Sequence, residues 1–417
     1  MKKKYFILLI GLAGLGCFNL NAQQEVTCGE WEKLNVGFDY IFRGIEFPED
    51  QNDIAYAAGE SLTYNGDGIV IKTIDGGDTW SQIWFGEDQG LKGISFPTLN
   101  TGYVAGWGDY FAKTTDGGAT WQQQTPISDV FFYRNMVFKD ENNGVITAQT
   151  TTGSAVYWTN DGGQTWAEGT GLASVPYQIT YVSGDTYFIV TNGGQIQKSI
   201  DNGASWTTVF TGTPESLIGI EFYDDMVGVA TGDDGVIYKT ADGGTTWESQ
   251  TVGEGSELWR DIAWEDDANK LTLVGTPEQI YESEDGGQTW PIDNTDVSDY
   301  YSALYEVLYT SNGTGYIIGS QGVFFRKKCE TTLNIDSNLF GQDLSIYPNP
   351  MRDILNLRSS TFDIEKVIVH DVLGKQVATI LIDDRFASID LSSLKPGIYL
   401  LKISAINTTV IRKVIKK

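Results

Sequence analysis

The chain has 417 residues, 12% of them aromatic, with 48 glycines and 10 prolines, a composition suited to many short strands and turns. Its formal charge of −27 sits in the middle: residues 23–341 hold 14 Lys and Arg against 47 Asp and Glu. That acidity argues against nonspecific binding to nucleic acid and attachment to an anionic bilayer.

Lys2–Lys4 form a basic start, Tyr5–Gly16 is an apolar run, and Ala22 is a small residue ahead of Gln23. This pattern is a secretory signal peptide, residues 1–22, too short for a stable membrane anchor. Cys17 follows Gly14-Leu15-Gly16, which lacks the leucine that normally opens a lipobox. No other run has the length of a membrane helix.

One phrase then recurs six times: Thr73–Trp80, Thr114–Trp121, Thr159–Trp166, Ser199–Trp206, Thr240–Trp247 and Ser283–Trp290. Its frame is [S/T]-x-D-x-G-x-[S/T]-W, with starts 41, 45, 40, 41 and 43 residues apart. A period near forty with one compact β unit per repeat predicts a propeller. Asp75, Asp116, Asp161, Asp201, Asp242 and Asp285 can each accept backbone N–H groups in a tight turn. The glycine two residues on allows a positive φ, and the tryptophan opens the next strand with a large apolar plate. Six carboxylates spread one per blade cannot converge on one substrate atom, so their expected role is structural, with no metal or cofactor.

These phrases resemble the Asp-box, or bacterial neuraminidase repeat. The longer stretches Asn100–Trp121 and Gly228–Trp247 are similar to the photosystem II stability/assembly factor-like propellers, and the resemblance covers about Trp31–Lys328. It implies a propeller that binds partner polypeptides through a basic patch on one face. The fold expected is all-β: a seven-bladed β-propeller over residues 23–330. Leu304–Lys328 supplies three strands of the seventh blade, and Trp31–Leu34 supplies the fourth, which closes the ring and removes both sheet edges.

Each inner strand opens with an aromatic or leucine, then a variable position, then a small residue. That position reads Arg43, Lys92, Arg134 and Arg260, with Gln178, Ile218 and Tyr305 in the other blades. Inner strands begin at the mouth of the central channel, so four cations are placed on one ring in an acidic domain. Tyr40, Phe42, Tyr133, Trp259 and Tyr301 are near in sequence. Such a ring can grip an acidic peptide or an anionic sugar. Alternatively, the cations pair with carboxylates such as Glu46 and Asp261 and seal the channel.

Catalysis has little to work with. The one histidine, His370, lies after the propeller, which excludes Ser-His-Asp and Cys-His chemistry and histidine-ligated zinc from the blades. Carboxylate pairs such as Asp233-Asp234 and Asp266-Asp267 keep an Asp-box glycoside hydrolase of sialidase type as the alternative function. Adjacency in sequence, however, is not a facing pair across a cleft. The propeller has only four arginines, and Phe42-Arg43-Gly44-Ile45 lacks the proline of the sialidase motif.

Aligning Trp31 on Trp80, and Val323–Arg326 on Ile69–Lys72, puts Cys28 and Cys329 at the turn missing from the seventh blade. An exported protein meets oxidising conditions, so a Cys28–Cys329 disulfide is expected, with two free thiols as the alternative.

Residues 331–342 read as a polar linker, and residues 343–417 as alternating apolar strands with Gly and Pro turns, a small immunoglobulin-like β-sandwich. Tyr347–Pro350, the D-x-x-G-K of Asp371–Lys375, and Leu394–Lys402 resemble the type A C-terminal sorting domain of type IX secretion. That resemblance implies recognition by the type IX machinery of a Gram-negative cell, then release or attachment at the outer membrane surface. The expected product is a monomeric, noncatalytic protein that binds a protein or glycan partner at or beyond the cell surface, without nucleic acid and without a transmembrane segment.

Overall fold

The computed structural model describes residues 25–48, 51–62, 66–124, 127–212, 216–265, 267–277, 279–293, 295, 303–332, 344–359, 363–371, 375–405 and 408–417. The expected signal peptide, Tyr301 and most of the expected linker lie outside these residues. Every regular element among the described residues is a strand, and no helix there is long and apolar enough to cross a membrane. Two compact units divide between Cys329 and Glu330.

In the first unit seven antiparallel sheets follow one another. Their first strands are Ile41–Glu46, Leu91–Ser95, Val130–Phe138, Pro176–Ser183, Leu217–Phe222, Leu258–Trp264 and Leu304–Tyr309. Each packs beside the first strand of the next sheet, and the seventh packs beside the first. The sheets therefore close into a β-propeller, numbered here as blades 1 to 7. Blade 7 combines both ends of the unit: Glu32–Leu34 pairs with Phe324–Lys327 through Glu32↔Arg326, Lys33↔Phe325 and Leu34↔Phe324. Blade 6 has three strands and completes its edge only by a bridge between Tyr281 and Ile292. Its Asp-box is followed by Pro291, which has no N–H for a ladder.

The core lies between neighbouring blades. Phe42, Ile45, Ile69 and Ile71 of blade 1 pack on Tyr316, Ile318 and Phe324 of blade 7. Second strands are covered on both faces, so Gly102–Gly106 and Gly315–Gly319 are buried at every position and read as small and apolar rather than alternating. A Cβ on Gly106 would lie 1.9 Å from the Gly90 carbonyl oxygen, so only glycine fits there.

Each Asp-box builds the same turn. In blade 1 the Thr73 hydroxyl donates to Asp75 at 2.8 Å and accepts the Gly77 amide at 2.9 Å. The Thr79 amide and hydroxyl donate to the two Asp75 oxygens at 2.9 and 2.6 Å. The Thr79 hydroxyl and amide, with Thr73, hold the Asp75 carboxyl down at about 2. Gly76 and Gly77 take φ of 65° and 82°. In the fourth box Asn202 occupies the first of these positions at φ 58°, a conformation asparagine tolerates.

The turn is also the joint between blades. Lysines of the third strands reach carbonyls in the next blade's Asp-box: Lys72 to Gly117, Lys113 to Gly162, Lys198 to Gly243 and Lys239 to Gly286. Second-strand tyrosines add Tyr56 to Gly117 and Tyr316 to Gly76. At the closing joint the buried Arg326 takes the lysine role. It donates to the Gly76 carbonyl and Asp78 at 2.6 Å each and pairs with Glu32.

In the second unit, Leu344–Tyr347, Ile354–Ser359 and Phe386–Asp390 form one sheet, and Gln376–Asp384, Ile364–Asp371, Gly397–Ala405 and Thr408–Lys416 another. Leu355, Leu357 and Ile389 share one core with Val367, Val369, Leu401 and Ile403, the arrangement of a small sandwich. His370 lies half-buried on a strand of the larger sheet.

Arg326→Met removes a joint whose carboxylate partners are about half exposed and remain hydrated after the change. The expected cost is therefore about 1–2 kcal/mol rather than the larger penalty of a fully buried pair. Urea denaturation measures it, and unchanged stability would show that the joint contributes nothing.

Candidate functional site

Every inner strand breaks register near its start. One residue is left out of the ladder at Arg43, Lys92, Arg134, Ile218, Arg260 and Tyr305. A bulge turns its side chain away from the sheet faces, here into the channel mouth. In blade 4 the break falls between Pro176 and Ile179. Ile179 takes the core position, so the ring position is Tyr177 and not Gln178. The sequence register was off by one because Pro176 stands where the other blades carry an aromatic or leucine.

Gln178 instead belongs to the next row inward, with Gly44, Gly93, Asn135, Gly219, Asp261 and Glu306. The polar members of that row accept the amide of the neighbouring inner strand just past its bulge. Glu306 takes Ile45 at 3.0 Å, Asn135 takes Ile179 at 3.2 Å, Gln178 takes Ile220 at 2.5 Å and Asp261 takes Val307 at 2.9 Å. Burial pushes the Asp261 carboxyl up to about 7 against the pull of the Val307 amide, and raises Glu306 well above the usual range, with Asp261 adding to the effect. Burial also pushes Glu46 up to about 7.

The ring cations do not pair with Glu46 or Asp261. Two of them, Arg43 and Lys92, share Glu60, at the end of the second strand of blade 1. Arg43 bonds it at 2.8 Å, Lys92 at 3.0 Å, and the Trp107 indole N–H at 2.6 Å. Burial works to raise Glu60, but Arg43 and Lys92 hold it below the ordinary value. Nothing local marked Glu60, because it meets Lys92 and Trp107 only when blades 1 and 2 pack.

Arg134 and Arg260 form no ion pair among the described residues. Arg134 donates to the Gln149 side chain at 3.2 Å, and its buried Nε has no hydrogen-bond partner. Arg260 donates to the Thr276 hydroxyl at 3.1 Å. Burial lowers the pKa of both, and Tyr177 opposes it in each.

Aromatic rings fill the gaps. Arg43 and Arg260 lie 4.4 and 4.6 Å from the Tyr305 ring. Lys92 lies 4.8 Å from Trp107, and Arg134 lies 4.8 and 5.8 Å from Phe132 and Tyr177. The arc from blade 6 through blade 7 to blade 4 thus interleaves cations with aromatics everywhere except between Arg43 and Lys92, which share Glu60. Phe131 extends it outward, about half exposed and 5.9 Å from Trp107. Of the aromatics expected from sequence, Phe42, Tyr133 and Trp259 are core residues instead. Among the described residues no group of His, Cys, Asp or Glu is placed to hold a metal ion.

Comparison with known proteins gives two family matches. Residues 78–217 and 255–328, about half the chain, match the photosynthesis system II assembly factor YCF48 family. Residues 345–417 match the secretion system C-terminal sorting domain. A photosystem II assembly lipoprotein Ycf48 from Synechococcus is 25% identical over 54% of this chain, and the match spans 64% of that protein. A Picosynechococcus Ycf48 lipoprotein is 26% identical over 79% of this chain and 96% of its own length. A solved YCF48 bound to a D1 peptide superposes with a TM-score of 0.59 at 23% identity, covering 72% of this chain and 94% of that one.

The buried carboxyls set a pH dependence. Their folded pKa values are raised, so the stability they contribute is complete below the unfolded values near 4 and is lost as pH rises through about 7. The thermal midpoint should therefore fall between about pH 4 and 7 and level off above that range. The double substitution Asp261→Asn, Glu306→Gln should flatten that fall, and an unaltered slope would assign it to other groups.

Proposed function

The chain belongs to the photosynthesis system II assembly factor YCF48 family, and from that premise we propose that it is an exported, noncatalytic binding protein that takes a polypeptide partner at the channel mouth. The observation carrying this reading is the arc Arg260, Tyr305, Arg43, Lys92, Phe132, Arg134 and Tyr177, cations and aromatics concentrated on one opening of an acidic propeller. A propeller of the same family has been solved with a D1 peptide bound, which favours a polypeptide over a glycan here. The sorting domain at residues 345–417 supports export and a place at or beyond the cell surface.

The channel carboxyls are poor candidates for glycoside hydrolysis. Asp261 and Glu306 each accept a backbone amide of the neighbouring blade, which fixes them as parts of the wall. The six Asp-box carboxylates are likewise engaged by their own turns.

Acidic-peptide binding tests the reading. In the exported protein Arg43, Lys92, Arg134 and Arg260 are changed to Gln together with Glu60→Gln, so that Glu60 is not left buried and unpaired. Captured surface proteins and peptide binding should both be lost at an unchanged thermal midpoint. Equal capture by both proteins would move the site elsewhere, and hydrolysis of an aryl glycoside by the parent would favour the hydrolase.

The clasp Cys28–Cys329 is part of the same proposal. Strands Glu25–Cys28 and Cys329–Thr332 pair, and the Gly29 amide donates to Lys328 at 2.9 Å, which puts the two cysteine backbones on adjacent strands. A link closing about 300 residues stabilises by up to about 5–6 kcal/mol in the chain-entropy model. Non-reducing peptide mapping should find the linked pair, and alkylation of both thiols without reductant would exclude it.

A further inference from the structure

The four ring cations are not equivalent. Glu60 gathers Arg43 and Lys92 onto one oxygen, Oε1, while Trp107 holds the other. The side chains of Glu60, Lys92 and Arg43 are 8%, 14% and 27% exposed. Their charges are therefore largely met inside the wall. Among the described residues, Arg134 and Arg260 have only neutral partners for their hydrogen bonds, Gln149 and Thr276. The carboxylate that acts on Arg260, Asp233, does so without an ion pair.

These two arginines stand on blades 3 and 6, separated on one side by Tyr177 and Ile218. The Tyr177 ring lies 5.8 Å from Arg134, and Tyr177 works against the lowering of the pKa of both arginines. Resting on the function proposed above, we propose that Arg134, Arg260 and the Tyr177 hydroxyl form the carboxylate-accepting site of the mouth, and that Glu60 is a positioning residue that keeps Arg43 and Lys92 out of it.

The chemistry fits a carboxylate-bearing polypeptide segment. A guanidinium offers a planar fork of donors that matches a carboxylate, and a partly desolvated arginine has already lost the water that would compete. The loops ending on this side carry Asp67, Asp88, Asp109, Asp129 and Asp234. They repel a broad acidic surface, so the occupant is one narrow extended segment that reaches past them.

Hexaglutamate is the probe, as free acid and as C-terminal amide, measured by fluorescence anisotropy at low salt on the full chain. Arg134→Gln and Arg260→Gln should each weaken binding about tenfold or more, the scale of a lost charge-assisted hydrogen bond. Tyr177→Phe should weaken it a few-fold. Glu60→Gln should tighten it, because the ring gains a positive charge. If Arg134→Gln unfolds, Arg134→Lys keeps the charge without the fork and should still bind less tightly. Equal binding of acid and amide assigns side-chain carboxylates, and a preference for the acid assigns a chain terminus. Parental affinity in Arg134→Gln and Arg260→Gln, or weaker binding in Glu60→Gln, overturns the division while leaving the ring as the site. No binding by the parent sinks both readings.

Discussion

One extra residue at the start of each inner strand sets both the construction of the ring and the chemistry of its mouth. The bulge breaks the ladder between the first and second strands and turns its residue into the channel. The neighbouring blade then offers a side chain, as Glu306 does to Ile45 and Asp261 to Val307, or a glycine that lets the backbones approach, as Gly219 does against Arg260. The same irregularity that stitches inner strands around the axis therefore presents Arg43, Lys92, Arg134, Tyr177, Ile218, Arg260 and Tyr305 together.

The scarce cations are shared between two tasks. Lys72, Lys113, Lys198, Lys239 and Arg326 cap the carbonyls of Asp-box turns in the next blade. They face the outer joints, where carbonyl dipoles hold the four lysines and the Glu32 and Asp78 carboxylates add to the hold on Arg326. The ring cations face the axis. With so many basic groups placed in joints, few are left for the inner strands of this strongly acidic domain.

The Asp-box couples these scales. Its aspartate gathers donors from its own turn, which fixes the outward carbonyls where the neighbouring lysine and tyrosine meet them. A change at a turn is thus felt at the joint as well as within its own hairpin. The circular closure uses the same joint, with Arg326 standing for lysine and Tyr316 reaching Gly76.

Repeat number, turn chemistry and the closing strand Glu32–Leu34 were legible in the sequence, because they follow from local patterns: a fixed period, an Asp-Gly turn and strands with nothing else to pair with. The four ring cations were legible for the same reason, since each precedes a small residue and an apolar core position. The partners of those cations were not. Glu60 lies in a different strand from Arg43 and a different blade from Lys92, and Tyr305 meets Arg43 and Arg260 only across blade boundaries. Tyr177 was misplaced by one residue because strand register is a property of pairing. The sequence by itself determined which elements form and which residues begin them. The tertiary structure alone decided which charges are neutralised, because that depends on distances between segments that have no local relation.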